Sequence, residues 1–513
     1  MKSKIIKSGT VLFALLFFLF VGCKNDISTL DLNKLPEVSV DTTNQSTLSV
    51  FQFDDLVLEP KIIDKEGVEQ QLSYEWFINL EPFSAEYVSI GKEKKLTYNV
   101  RFVPTRLNYP YQILLKIYDN KNGLEHIQDW PLIVRNAVGE GVVVLETYDG
   151  KNTDISHIMS PLVTPDYTDE KIRYKVYSSV NNTTLEGLVN NMVYTRFAGN
   201  NILLGGTPTS MFSVKTLDYS LDKKDEAFFY ASQASYGPSY IGGVVQNDVF
   251  VRDNRLYASW LEISKFGLPQ SNTFKIPNTI ALNARYDYPN IVLCFYSEDL
   301  GKFIYQPSLA SFGDRVMRTV PSAASPFDPN NIANKQNIAA GVNTNGDFIH
   351  ILKDRTTQKF GIYILDGGGY DSDDYVVIPS KPKQFVDLSN APEIDQAISF
   401  VILDNQQVLL YATKTKIYGV VYSTSTPIFG VRYAAASGED ITSLSAYYQA
   451  DYPKQNRNYF ARNGKQLILS TYNGAEGKVH ILPLINEGVA NIDQANIKTY
   501  GGFGKILLTT TQL

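Results

Sequence analysis

Between Val38 and Arg135, apolar and polar residues alternate in short runs broken by turn formers, the period-two signature of half-buried strands. Leu48 to Phe53 alternates and Leu56 to Ile63 follows. Tyr74 and Trp76 fall in register within Leu72 to Ile78, and Tyr111, Ile113, Leu115 and Ile117 share one face of a later strand. Roughly seven strands in about 100 residues suit an immunoglobulin-like sandwich, in which a tryptophan on a central strand fills the space between the sheets. Trp76 is therefore read as core rather than as a ligand platform.

A glycine-containing joint, Arg135-Asn136-Ala137-Val138-Gly139-Glu140-Gly141, precedes a new apolar strand at Val142 to Leu145. Beyond it no long amphipathic helical period occurs. Turn-forming groups recur between strand runs at Asp149-Gly150, Gly199-Asn200, Asp253-Asn254, Asp299-Leu300-Gly301, Asn345-Gly346, Asp404-Asn405 and Asn463-Gly464, spaced by 46 to 59 residues. A propeller blade repeats every 40 to 50 residues or so, plus loops. The expected fold class is therefore all-β: an immunoglobulin-like sandwich over residues 37–136, then a β-propeller over residues 140–513. Seven blades are expected, with eight as the alternative, since the tail from Tyr500 to Thr510 can complete a blade begun near Val142. Tandem sandwiches also accommodate evenly spaced short strands.

The first residues have a different logic. Lys2, Lys4 and Lys7 precede an apolar run from Val11 to Phe20, shorter than the span of about 20 residues that crosses a bilayer, so residues 1–22 read as a secretory leader. The run ends in Phe20-Val21-Gly22-Cys23, which resembles the bacterial lipobox. That resemblance implies cleavage between Gly22 and Cys23 and diacylation of the Cys23 sulfur. Two acyl chains give stable attachment where one does not, making the membrane a partner through the lipid. Residues 23–36 read as a polar tether closed by Pro36. Lys24-Asn25-Asp26 resembles the surface-export signal of Bacteroidetes lipoproteins, which implies the outer membrane and its cell-surface face, with the periplasmic leaflet as the alternative.

Composition narrows the chemistry further. In a chain of 513 residues, 44% are hydrophobic and 19% charged, which excludes wholesale disorder. A net charge of −6 without a basic run excludes an electrostatic nucleic-acid binder. Two cysteines make no disulfide scaffold. His126, His157, His350 and His480 stand singly without zinc-ligand spacing, and Cys294 lies in an apolar run where a thiol packs as a small hydrophobe. No nucleophile elbow, P-loop or dinucleotide fingerprint is present, so no catalytic residue and no cofactor is assigned. A hydrolase is the minority reading, kept open because paired carboxylates from distant blades leave no local motif.

Two clusters are weak candidates for binding. Asp371, Asp373 and Asp374 lie in an acidic glycine-bearing loop that offers oxygen ligands to calcium, but their order departs from the EF-hand and a solvated loop is the plainer reading. Tyr230, Tyr236 and Tyr240 lie in a Ser-, Gly- and Pro-containing segment, where they could stack on a sugar, pack a peptide or bury a propeller rim. Only three tryptophans occur, which weakens a sugar platform.

Ser73-Tyr74-Glu75-Trp76-Phe77 and Tyr111 to Asp119 resemble the two best-marked strands of the PKD family. With the lipobox and the strand-rich region opening at Glu140-Gly141-Val142-Val143-Val144-Leu145, the chain resembles the PKD-like lipoproteins of Bacteroidetes. That resemblance implies a place beside nutrient-uptake machinery of the SusC/SusD type, with peptidases nearby. The family supplies no catalytic residues. An accessory lipoprotein that captures oligopeptides is the expectation, with a glycan-binding lipoprotein, a propeller-scaffold hydrolase and a structural or adhesive surface protein as alternatives.

Overall fold

The computed structural model describes residues 38–42, 47–64, 67, 69–105, 109–197, 199–259, 265–270, 273–287, 289–307, 316–424 and 426–513. Gly22, Cys23 and the tether lie outside the described residues. The chain divides into two compact units, with the main boundary between Val134 and Arg135.

In the first unit, Leu48–Phe51, Leu124–Arg135, Tyr111–Asp119, Leu72–Asn79 and Tyr87–Gly91 form a five-stranded sheet in that order. Asp55–Leu58 pairs with Leu96–Asn99, and Val38–Val40 with Ile62–Asp64. Strand Tyr111–Asp119 is buried at every second residue, as its alternation dictates. Trp76 is fully buried and stacks on Trp130 with ring centroids 5.9 Å apart, and its indole N–H donates to the Glu93 carbonyl at 2.9 Å. The one polar atom of the ring is thus satisfied inside the core, the condition under which a buried tryptophan stabilises. Asp119, at the end of strand Tyr111–Asp119, accepts the Lys121 and Asn122 backbone N–H groups at 2.9 and 3.2 Å and fixes the following turn.

Among the described residues, the second unit contains seven consecutive antiparallel sheets of three or more strands, besides the two-stranded hairpin Gly369–Asp371/Val376–Ile378. Six are built in chain order: Asn191–Phe197 opens the second, Tyr240–Gly243 the third, Ala281–Leu282 the fourth, Lys335–Val342 the fifth, Ser399–Leu403 the sixth and Asp440–Ala446 the seventh. The first is assembled differently. Gly141–Thr147, Asp154–Met159 and Lys171–Arg173 are joined by Lys505–Gln512 from the far end of the chain, which pairs with Gly141–Thr147.

Among the described residues, seven apolar cores join these sheets, each shared by two neighbours. Val143 and Leu145 of the first sheet meet Leu203 and Val214 of the second. Ile202 and Leu204 face Phe250 and Tyr257 of the third, whose Val249 and Val251 meet Val292 and Phe295 of the fourth. Tyr296 and Phe303 meet Phe348 and Tyr363 of the fifth, and Ile349 and Ile362 meet Leu409 and Tyr411 of the sixth. Leu403 and Leu410 pack on Leu467 and Leu482 of the seventh, and Ile468 and Val479 return to Val142 and Val144 of the first. Successive side chains of one strand thus enter two different cores. This is why Gly141–Thr147, Ile291–Ser297 and Phe360–Leu365 are buried at every position and read as continuous apolar runs rather than alternating ones. A closed cycle of seven sheets, completed by one strand from the other end of the chain, is the connectivity of a seven-bladed β-propeller.

The turn groups mark one place in each sheet but not equivalent places. Asp253 and Asn254 take φ of 49° and 58° and form a tight hairpin between Asp248–Arg252 and Arg255–Ala258. Asn345-Gly346 and Asp404-Asn405 instead join the first and second strands of their sheets. Asn463-Gly464 lies near the end of a long connection from Tyr447 to Lys465.

Candidate binding pocket beside a capping connection

In an antiparallel sheet the first-to-second and third-to-fourth connections emerge at one end of the strands. In five sheets, the second to the sixth, the first of these is short, and the first sheet, completed by Lys505–Gln512, has none. In the seventh it is the segment from Tyr447 to Lys465, which reaches the corresponding connections of several other sheets. Tyr447 donates to the Val163 carbonyl at 2.9 Å, and the Gln449 side-chain amide donates to Glu140, both beside the first sheet. Tyr448 and Tyr452 donate to the two carboxylate oxygens of Asp404 in the sixth. The Pro453 carbonyl accepts from the Tyr286 N–H of the fourth at 3.2 Å. Lys454 reaches the third, where a methyl group built on Gly243 would lie 2.8 Å from its Nζ.

The segment is also held within itself. Arg457 clasps Asp451 through two hydrogen bonds of 2.8 and 2.7 Å, a bidentate arrangement that fixes both groups. Gln449 accepts the Phe460 N–H, and its own N–H donates to Asn463 at 2.6 Å.

Between this connection and the second and third sheets lies a pocket of about 770 Å³, within the size range of small-ligand sites. Tyr194, Arg196, Asn201, Lys215 and Asp222 line it from the second sheet, Val244 and Asp248 from the third, and Asp451, Lys454 and Arg457 from the capping connection. Asp248 is buried and accepts the Thr195 hydroxyl. Burial pushes its carboxyl up, against the opposing charge of Lys454. Burial likewise pushes the Lys454 ammonium down, against Asp248 and Asp451. The Tyr194 hydroxyl is pushed up to about 12, chiefly by burial, and stays a neutral donor. Such a wall offers hydrogen-bond donors and acceptors and charges of both signs alongside apolar side chains such as Ile202, Leu217 and Val244.

A second, smaller basin of about 350 Å³ lies at the same end of the fifth and sixth sheets. It is lined by the amides of Asn343, Asn405, Gln406 and Gln407 and by the Lys383–Asp347 pair at 2.7 Å.

None of the candidate binding residues named from the sequence lines either pocket, although the turn groups Gly199-Asn200 and Asp404-Asn405 do. Tyr230, Tyr236 and Tyr240 belong to the connection from the second sheet to the third, at the opposite end of the strands. Tyr230 is 70% exposed, with the Lys265 Nζ 5.9 Å from its ring centroid. Tyr236 is half-buried against Phe229 at 5.7 Å, and Tyr240 is half-buried at the start of its strand. Arg252 holds the connection from beneath: its guanidinium lies against Phe229, Phe250 and Tyr257 and donates to the Ser235 carbonyl and the Gln233 side chain. Asp371, Asp373 and Asp374 form the turn of an exposed hairpin between Gly369–Asp371 and Val376–Ile378. Asp371 accepts the Asp373 and Asp374 N–H groups at 2.9 and 3.2 Å, and no group of three metal-ligating side chains occurs among the described residues. Cys294 is fully buried and its thiol is pushed up by burial, the setting of a packing residue.

No family model and no curated protein matches the chain. Among solved structures, one similar chain is PorZ, a surface component of the type-IX secretion system of Porphyromonas gingivalis, at 10% identity and a TM-score of 0.38. That match covers 72% of this chain and 39% of PorZ, so the chain spans about two fifths of the length of that relative. The N-terminal domain of Nup159 aligns at 10% identity and a TM-score of 0.31, covering 57% of this chain and 73% of that one. The N-terminal eight immunoglobulin domains of Down syndrome cell adhesion molecule align at 9% identity and a TM-score of 0.15, covering 92% and 60% respectively.

Proposed function

We propose that this chain is a lipid-anchored outer-membrane protein that captures oligopeptides without turning them over, working beside a transporter of the SusC/SusD type. The observation that carries the reading is the pocket between the second and third sheets and the capping connection. Its wall pairs amide and hydroxyl groups, suited to a peptide backbone, with charges of both signs, suited to peptide side chains. Both described tryptophans, Trp76 and Trp130, are spent in the core of the first unit, and among the described residues no tryptophan, the ring with the largest stacking face for sugars, lines the pocket. The lipid at Cys23 supplies attachment, and tethering raises the local concentration of ligand-binding sites so that weak affinity suffices.

The test is calorimetric titration of the purified full chain with oligopeptide and glycan pools, together with recovery of its partners from detergent-solubilised native membranes. Binding of peptides, absence of cleavage products and recovery of a transporter support the reading. Binding of glycans alone, cleavage of any peptide, or recovery without a transporter overturns it.

A further inference from the structure

The charges that line the pocket are not equally committed. Arg457 is neutralised by Asp451 through two short hydrogen bonds. Asp222 accepts the Ser213 hydroxyl at 2.9 Å, and Asp248 accepts the Thr195 hydroxyl in a buried position where its ionised form is disfavoured. Lys454 differs from all of these. Its ammonium makes no hydrogen bond and no ion pair among the described residues, although it is set back in the wall between the capping connection and the third sheet. Arg196 and Lys215 line the same pocket, are exposed, and likewise have no ion pair among the described residues. Three cations without an ion pair, one deep and two at the lip, thus stand against one exposed carboxylate without one, Asp222, so the balance of uncommitted charge among the described residues is cationic.

We propose that the pocket selects acidic peptides, the ligand carboxylate being taken by Lys454 while Arg196 and Lys215 draw it in at the lip. This rests on the peptide-capture reading above and narrows it. A half-buried ammonium without a hydrogen-bonded partner is unfavourable in the free protein, and an incoming carboxylate relieves that cost where a neutral amide does not. The exposed cations act at longer range and are screened by salt. The stem of Lys454 is held by the fold of its segment, whose turn is closed by the Lys454 N–H donating to the Asp451 carbonyl at 2.8 Å. The ammonium is thus presented at a defined place above Gly243.

The experiment uses the purified full chain in detergent and two synthetic octapeptides identical except that glutamates in one are glutamines in the other. The glutamate peptide is expected to bind at least about tenfold more tightly, the size of one charge-assisted hydrogen bond. Lys454→Met is expected to bring the ratio of the two affinities close to one, and Lys454→Arg to retain most of the preference. Should Lys454→Met fail to give a native melting curve, the exposed double variant Arg196→Gln/Lys215→Gln serves instead, with a smaller preference and a shallower salt dependence expected. Equal binding of the two peptides by the native chain overturns the acidic selectivity and leaves peptide capture standing. An unchanged preference in a folded Lys454→Met variant does the same. Failure of both peptides, and of peptide pools, to bind at all overturns the two proposals together.

Discussion

Tyr448 and Tyr452 stack with ring centroids 4.9 Å apart and planes within 5° of parallel, and their hydroxyls converge on the same carboxylate, Asp404. Two turns of one connection are thereby clamped to the sixth sheet. The wall of the pocket that carries Asp451, Lys454 and Arg457 is part of the same connection, so the clamp also sets the geometry of the site.

Asp404→Ala removes the shared acceptor and leaves two largely buried hydroxyls without it. A loss of about 1 to 3 kcal/mol is expected, with Asp404→Asn falling between it and the native chain. Tryptic cleavage after Lys454 or Arg457 should accelerate in proportion, read by mass spectrometry of limited digests. Unchanged cleavage would show that the tyrosine pair does not restrain the connection.

Gly243→Ala introduces a methyl group whose carbon would lie 2.8 Å from Lys454 Nζ and 3.1 Å from Asp248 Oδ1. The clash is with the flexible end of a side chain, so stability should change by less than about 1 kcal/mol, while the ammonium is displaced. The expected result is a near-native melting temperature with a weakened preference for glutamate peptides in the titration described above.

Truncation before Lys505 removes the strand that pairs with Gly141–Thr147 and the buried Gln512 side chain that donates to the Gly139 and Thr216 carbonyls at 3.2 Å. One sheet then loses its inner strand, and the core joining the seventh sheet to the first loses Ile506. Calorimetry should show the single transition of the second unit lost as a whole. Two separately melting parts would argue for tandem sandwiches.

His157 and His350 are fully buried, and burial pulls each imidazole down to about 3 from its usual value near 6.5. Below pH 6.5 the unfolded chain therefore binds protons that the folded chain does not. The stability that each neutral ring contributes is complete above pH 6.5 and is lost as the pH falls towards 3, at up to about 1.4 kcal/mol per pH unit for each ring. Neither nitrogen of His350 has a hydrogen-bond partner among the described residues, and its ring lies 5.0 Å from that of Phe303. His350→Leu should accordingly flatten the loss between pH 6.5 and 4 in urea melts. An unaltered pH profile would contradict the assignment.

Cys23→Ala should release the protein from the membrane fraction, because the lipid is the proposed anchor. Retention of that variant through a high-salt wash would contradict the anchor.

Much of the fold was legible because its strands obey simple rules. The alternation at Tyr111, Ile113, Leu115 and Ile117 reports one buried face, and the continuous apolar runs at Val142 to Leu145 and Ile291 to Tyr296 report strands buried on two. The number of sheets follows from one turn group per sheet, although those groups sit at different connections. The spacing of 59 residues between Asn345 and Asp404 includes the extra hairpin Gly369–Asp371/Val376–Ile378, and the next includes the capping connection.

The pocket was not legible. Tyr194, Asp248 and Lys454 lie on three different sheets or connections, and no local spacing brings them together. The tyrosines at 230, 236 and 240 were conspicuous in sequence, but Arg252 and Phe229 hold that segment to the other end of the sheets. The one available signal was the stretch from Tyr447 to Lys465, too long and too irregular to be a hairpin turn.

Hydrogen–deuterium exchange of the full chain, with and without the glutamate octapeptide, tests the account most directly. Slowed exchange confined to Gly199–Ile202, Val244–Asp248 and Ala450–Arg457 is the predicted result. Slowing at Tyr230–Tyr240 instead, or no change anywhere at a saturating peptide concentration, would contradict it.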